Sequence, residues 1–261
     1  MRSTDQFVAR SKGMIGDVKE VECWHYVNPT GGYRPNSAPP KHLDWNLWLG
    51  PARYVPYNVD RVHFNFRWFL DFGGGQIRDR GAHVMSVAMW IMDSDQTGPM
   101  TIEATGEAPE KGIWDCPTTM EVKYEFKNPD WTMYWRQPGK PRNGHQYGAV
   151  YKGTKGELAV GGGDGGVFAE EKAKAFEIPA GGVVPYKSPG HERDWVNCVK
   201  SREKPIMHIE AGHRVGTLCI LGNISYRLGR KLHWDPVTER CQGDDEANRM
   251  LTYPNRAPWR I

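Results

Sequence analysis

Residues 67–83 read Arg67-Trp68-Phe69-Leu70-Asp71-Phe72-Gly73-Gly74-Gly75-Gln76-Ile77-Arg78-Asp79-Arg80-Gly81-Ala82-His83, and the chain changes character on either side of them. Three consecutive glycines free the backbone for conformations closed to other residues. Behind them Ile77, Val84, Val87, Ala88 and Ile91 recur at helical intervals, so residues 76–92 are expected to form one helix starting directly after the glycines. Upstream, residues 17–27 alternate Val18, Val21 and Cys23 with charged positions as a strand does. Residues 28–57, dense in Pro, Gly, Asn and Trp, read as an ordered loop that covers a site. Downstream, residues 100–107, 118–126, 131–136, 147–151 and 157–160 are short β-prone runs parted by turn residues, a meander of mainly antiparallel strands. Helices are expected over residues 190–202 and 209–228, the second stopped by Gly229, and residues 235–261 read as irregular. The fold class is therefore α+β: a large open, mainly antiparallel sheet with helices on one face. Residues 1–261 read as one domain, and the bare sheet face is expected to meet a second copy of the chain in a homo-oligomer.

Composition narrows the class. A chain of 261 residues buries a core without staples. Its 34 Lys+Arg and 31 Asp+Glu are scattered, so nucleic acid is not indicated as a partner. Five widely spaced cysteines with no C-x-x-C pair suggest neither a disulfide framework nor a zinc knuckle. No apolar run approaches the ~20 residues of a membrane span, and residues 1–12, with Arg2, Asp5, Arg10 and Lys12, do not read as a secretory signal. The expectation is a cytoplasmic protein that does not engage a membrane. Eleven Trp and eleven Tyr supply flat faces of the kind on which sugars stack. Trp45, Trp48, Tyr54, Tyr57 and Trp68 are candidates for that role, though for each a place in a core or as a loop anchor is the plainer reading.

The chemistry concentrates in the quoted stretch. Asp79 and His83, four apart in the expected helix, would share one face, and a His held by a carboxylate can pass a proton to or from a sugar hydroxyl near neutral pH. The plainer reading is a helix-capping Asp and a structural His. Arg67 and Arg78 would steady developing negative charge, or pair with a local acid such as Asp71. Glu210 and His213, three apart, could join Asp79 and His83 around a divalent metal, although such pairs on helices are usually structural. His63 reads as a loop residue, and His191 and Glu192 as caps of the helix at Gly190. Residues 161–166, GGGDGG, satisfy G-x-G-x-x-G literally. They lie late in a meander with no second parallel strand, which favours a hairpin loop over a dinucleotide site.

Residues 67–83 resemble the G-G-G-x-[IL]-x-D-x-G-x-H segment of the Gfo/Idh/MocA oxidoreductases, the glucose-fructose oxidoreductase and inositol dehydrogenase group. Residues 43–52 (LDWNLWLGPA), 151–156 (YKGTKG) and 221–248 (LGNISYRLGRKLHWDPVTERCQGDDEAN) are similar to the C-terminal domain of a bacterial branch, so the resemblance spans residues 13–259. It implies a substrate domain in which Asp79 and His83 line the pocket and His83 handles the proton of the oxidised hydroxyl. Arg67, Trp68 and Arg78 would contact the substrate. Arg80 departs from the branch, which more often carries Trp there. Members of the group hold NAD(P) in an N-terminal Rossmann domain, and none is legible here: no strand, Gly-rich turn and helix N-terminus stand together with a ribose-binding acid. Glu203-Lys204-Pro205 matches a tripeptide that the group carries in that domain, but here it falls between two C-terminal helices, so Lys204 does not inherit a catalytic role.

Three functions follow as expectations. The chain is the substrate half of a sugar or polyol dehydrogenase whose nicotinamide-binding domain is missing or supplied by a separate partner. Alternatively it is a cofactor-free, or metal-dependent, lyase, epimerase or hydrolase on sugars or keto-sugars, with His83 as base. Or it is a non-catalytic sugar-binding or oligomerisation module.

Overall fold

Alternation along the strands sets the layers. In Thr119–Phe126, Met120, Val122, Tyr124 and Phe126 are buried while Glu121, Lys123 and Glu125 project from the other face. The same period buries Trp131, Met133 and Trp135 in Trp131–Gln137 and Val21 and Cys23 in Val18–Trp24. The computed structural model describes residues 14–142, 144–163, 166–175, 188–252 and 254–259. Residues 1–12, read above as lacking a signal, lie outside them.

The strands are β1 (Val18–Trp24), β2 (Thr101–Glu107), β3 (Thr119–Phe126), β4 (Trp131–Gln137), β5 (Tyr147–Gly153), β6 (Gly156–Gly163), β7 (Gly166–Ala169), β8 (Leu232–Asp235) and β9 (Arg240–Cys241). They form one sheet in the order β7-β6-β5-β1-β4-β3-β2-β8-β9. β1 lies between β4, to which it is parallel, and β5, to which it is antiparallel. The other pairs are antiparallel.

Helices α1 (Trp45–Leu49), α2 (Arg80–Ile91), α3 (Glu171–Ala175), α4 (His191–Ser201), α5 (Ile209–Leu228) and α6 (Asp245–Met250) complete the fold, with a 3-10 turn at His63–Trp68. α2 and α5 pack together on the apolar sheet face, where Met85, Ala88, Met89, Leu218, Leu221 and Ile224 join the strand residues in one core. Two polar ties fix α5: Tyr124 Oη donates to the Leu218 carbonyl at 3.0 Å, and the fully buried Ser225 Oγ accepts from Ala104 N at 2.9 Å. Each satisfies a group whose burial alone would cost about 1–3 kcal/mol. The opposite sheet face is polar. Lys152 binds Glu20 and Glu22, and Arg136 pairs with Glu22 and Glu121.

The α+β expectation holds, with corrections at element ends. α2 starts at Arg80, four residues later than the periodicity indicates. Gly74 and Gly75 are left-handed (φ +73° and +77°), and Gly81 N reaches back to the Gln76 carbonyl, so residues 76–79 form a turn ahead of the helix. β7, β8, β9, α1, α3 and α6 have no counterpart in the sequence pattern; β9 and α6 lie within residues 235–261, expected to be irregular, and β8 reaches them only at Asp235. His191 and Glu192 do not cap α4. Gly190 is its N-cap, without a side-chain cap bond, and Asp194 of the first turn is used elsewhere, accepting from Ile206 N at 2.9 Å. Among the described residues no helix is long and apolar enough to cross a membrane.

Candidate functional site

The glycine loop draws distant segments together ahead of α2. A Cβ on Gly73 would lie 2.1 Å from Arg67 Cα, and Gly75 N donates to the Arg67 carbonyl at 2.7 Å, so the loop lies directly on the 3-10 turn. Buried Asn28, just after β1, accepts from Gln76 N at 2.9 Å and donates to the Pro117 carbonyl at 2.7 Å. Asn223 of α5 donates to the Gly74 carbonyl at 2.9 Å. Arg67, Trp68, Gln76 and Asp79 are thereby brought to one place.

They line a cavity of about 460 Å³ at the start of α2, with Arg80 and the exposed rings of Tyr26 and Phe64. Arg67 Nε lies 3.5 Å from Asp79 Oδ2, and its guanidinium covers the Phe64 ring at 3.3 Å. Asp79 occupies the N-cap position of α2 yet makes no capping bond. Gln76 is 3 % exposed, and its Oε1 has no hydrogen-bond partner among the described residues. Trp68 is buried at 5 % exposure and packs against Phe64 and Trp114.

His83 stands apart from Asp79. It is exposed one turn into α2 and lines two other cavities. One, of about 430 Å³, runs between α2, α5 and the start of α4 past Ser86, Met89, Asp95, His191 and Val215. The other, of about 160 Å³, lies toward β5 and β6 with Arg80, Tyr147 and Val160. The expectation of one helix face fails because Asp79 precedes the helix with non-helical angles (φ −80°, ψ −88°) and turns to Arg67 instead. Arg80 borders both the Asp79 cavity and the smaller His83 cavity.

Arg78 is turned back on the loop, donating to the Phe72 carbonyl at 3.1 Å. The acid that holds Arg67 is Asp79, whereas Asp71 pairs with Arg227 at 2.8 Å. Trp45, Trp48 and Tyr57 anchor the long loop as a second small core, Trp45 and Trp48 stacked at 4.6 Å, and Tyr54 stays exposed. His63 begins the 3-10 turn and is exposed.

Sequence reasoning missed His25. It is 1 % exposed, stacked on Tyr147 at 5.6 Å, with Nδ1 3.1 Å from the Tyr26 carbonyl. A carbonyl only accepts, so Nδ1 carries the proton and Nε2, which has no partner among the described residues, is left as an acceptor. Burial pushes the His25 pKa down to about 4 despite the bond to Tyr26, with Arg80 also lowering it. Inside a run read as strand, nothing but its residue type signals this.

The residues considered for a metal have other partners. Glu210 binds Arg214 at 2.7 Å, and His213 lies 2.7 Å from Glu239, which Arg214 also holds. A cation in their midst is no ligand set, and no group of three or more His, Cys, Asp and Glu among the described residues suits a metal. Among the described residues the glycine run offers the nicotinamide cofactor no cradle. β6 and β7 are antiparallel about the glycine run, whose Asp164 and Gly165 lie outside the described residues. Cβ atoms on Gly161 and Gly162 would meet the His145 and Tyr147 rings at 2.1 and 2.0 Å, so these glycines make room for side chains. Lys204 is exposed between α4 and α5.

An open sheet backed by two helices, with an aromatic-rimmed cavity holding Arg67, Gln76, Asp79 and Arg80 at a glycine-led helix start, defines an α/β domain. The sequence matches the family described as "Oxidoreductase family, C-terminal alpha/beta domain", of Gfo/Idh/MocA type, over residues 23–261, and the chain belongs to that family. No curated protein matches it. Among solved structures it is similar to the aldose-aldose oxidoreductase from Caulobacter crescentus complexed with glycerol, at 12 % identity and TM-score 0.54, covering 89 % of this chain and 61 % of that one. It is also similar to the WlbA dehydrogenase from Bordetella pertussis in complex with NADH and UDP-GlcNAcA, at 14 % identity and TM-score 0.51, covering 88 % and 60 %. At these identities the likeness is one of fold, and the chain spans about three fifths of the length of these relatives.

Proposed function

We propose that the chain is the substrate half of a sugar or polyol dehydrogenase, with the cavity at the start of α2 as its carbohydrate site. The observation that carries this reading is the buried Gln76 Oε1, without a partner beside the Asp79–Arg67 pair in a cavity edged by Trp68 and Phe64. An unfilled buried acceptor costs about 1–3 kcal/mol until a donor meets it, and a sugar hydroxyl is such a donor. Aromatic faces beside it suit the C–H surface of a pyranose or polyol. Asp79 then accepts from a second hydroxyl, Arg67 and Trp68 fix the ring, Arg78 steadies the loop from outside, and a sugar reaching past Arg80 presents its reacting hydroxyl to His83. His83 takes the proton of that hydroxyl, since an imidazole works as a base near neutral pH. Hydride acceptance belongs to a nicotinamide held by a domain outside residues 1–261, joined to this chain or separate from it.

Two further parts belong to the proposal. The polar sheet face pairs with a second copy of the chain, its ladder of Lys152, Glu20, Glu22, Arg136 and Glu121 supplying charges that a two-fold partner can complement. The protein works in the cytoplasm, which suits its five free thiols.

Isothermal titration with a sugar and polyol panel and with NAD+, together with turnover assays, tests the reading. Sugar or polyol binding without NAD+ binding or turnover is the expected result. Sugar conversion without a nicotinamide would replace it with the lyase, epimerase or hydrolase reading, and absence of any sugar binding with the oligomerisation module.

A further inference from the structure

Arg80 is the cation that the site leaves uncompensated. Among the described residues it has no carboxylate partner, because the adjacent Asp79 is engaged by Arg67 at 3.5 Å. It is the first residue of the twelve-residue helix α2, where the helix dipole already presents positive potential, so its charge is unfavourable there on its own. Its guanidinium lies 5.4 Å from the centroid of Tyr147, and Tyr147 is stacked on the buried His25. His25 stays neutral near pH 7 and adds no competing charge. Arg80 also borders both the cavity of Gln76 and Asp79 and that of His83.

We propose that Arg80 anchors a carboxylate on the substrate, so that the site takes a sugar acid in preference to a neutral sugar. This rests on the reading of the cavity as a carbohydrate site and names the substrate class. Arg67 and Asp79 offset each other, which leaves the cavity with one positive charge. One charge matches a carboxylate, whose planar oxygens accept two parallel bonds from a guanidinium, better than a phosphate dianion. The Oε1 of Gln76, a residue only 3 % exposed, has no hydrogen-bond partner among the described residues and points independently to a ligand, taking a hydroxyl while Arg80 holds the acid.

The test is isothermal titration of the 261-residue chain with matched pairs, glucose and glucuronate, galactose and galacturonate, mannose and mannuronate, and with glucose 6-phosphate. At least one acid is expected to bind about tenfold or more tightly than its neutral partner, by the strength of a charge-assisted pair. Arg80→Gln brings that ratio to about one, and Arg80→Lys, which keeps the charge without the fork, reduces it partly and serves if the Gln variant does not fold. Equal affinities within every pair would overturn the sugar-acid assignment while leaving a carbohydrate site standing. So would a preference that survives in Arg80→Gln, or tighter binding of glucose 6-phosphate than of any acid. If no sugar of either kind binds, the carbohydrate site itself fails, and the assignment with it.

Discussion

Asp79 and Arg67 are joined across 3.5 Å at the one point where α2 would otherwise draw on a capping carboxylate. The helix forgoes a bond that typically contributes about 1 kcal/mol, and the acid is spent on holding an arginine in the wall of a cavity.

Removing that acid exposes the trade. The pair is partly solvated, with side-chain exposures of 19 % for Arg67 and 33 % for Asp79, so Asp79→Asn is expected to lower stability by only about 1 kcal/mol. It should weaken binding of a neutral sugar about tenfold or more, because the charged acceptor becomes a weaker amide oxygen and the ion pair that places Arg67 is lost with it. Urea midpoints and titration calorimetry on the same preparation separate the two effects.

His25 makes stability depend on acid. Its folded pKa, about 4, lies below the ordinary 6.5, so the unfolded chain takes up the proton first as pH falls. Stability from this group is complete above pH 6.5, declines between pH 6.5 and 4, and is lost below, a difference on the order of 2–3 kcal/mol. Urea unfolding at pH 7, 5.5 and 4.5 should show that decline, and His25→Gln should flatten its share of it.

Two glycines should respond oppositely to alanine. Gly73→Ala places a methyl 2.1 Å from Arg67 Cα, a backbone clash that loosens the 3-10 turn and costs about 2 kcal/mol or more. Gly216, inside α5, would meet nothing within 4 Å, and Gly216→Ala should stabilise by about 1 kcal/mol. Thermal midpoints moving the same way for both would contradict the geometry.

The bare sheet face carries the oligomer proposal. Tyr134 lies on it beneath the Arg136 guanidinium, 4.7 Å from its ring centroid. Tyr134→Glu should convert a dimer to monomers in light scattering without changing the circular dichroism spectrum. A wild-type monomer, or a variant still dimeric, counts against this face as the interface.

Much of this architecture is written in local pattern. The alternation of Met120, Val122, Tyr124 and Phe126 fixes both the strand and its buried face, and Gly229 stops α5 where the helical period ends. β8 and β9 were illegible because strands of four and two residues carry almost no periodicity and owe their place to pairing at the sheet edge. The start of α2 was misread because Ile77 fits the helical period while Gly74 and Gly75 impose a turn around it. That offset carried Asp79 away from His83. Gln76 and His25 could not be read at all, since what distinguishes them is a buried atom left without a partner, which depends on segments as remote as Asn28 and Tyr147.

The most direct test is to watch where a sugar lands. With labelled protein, titration of a sugar or sugar acid should shift the Gln76 side-chain amide, the Trp68 indole and the Asp79 and Arg80 backbone resonances together, saturating with one dissociation constant. Shifts confined to the cavity between α2, α5 and the start of α4, around Met89, His191 and Val215, would contradict the site placed at the start of α2.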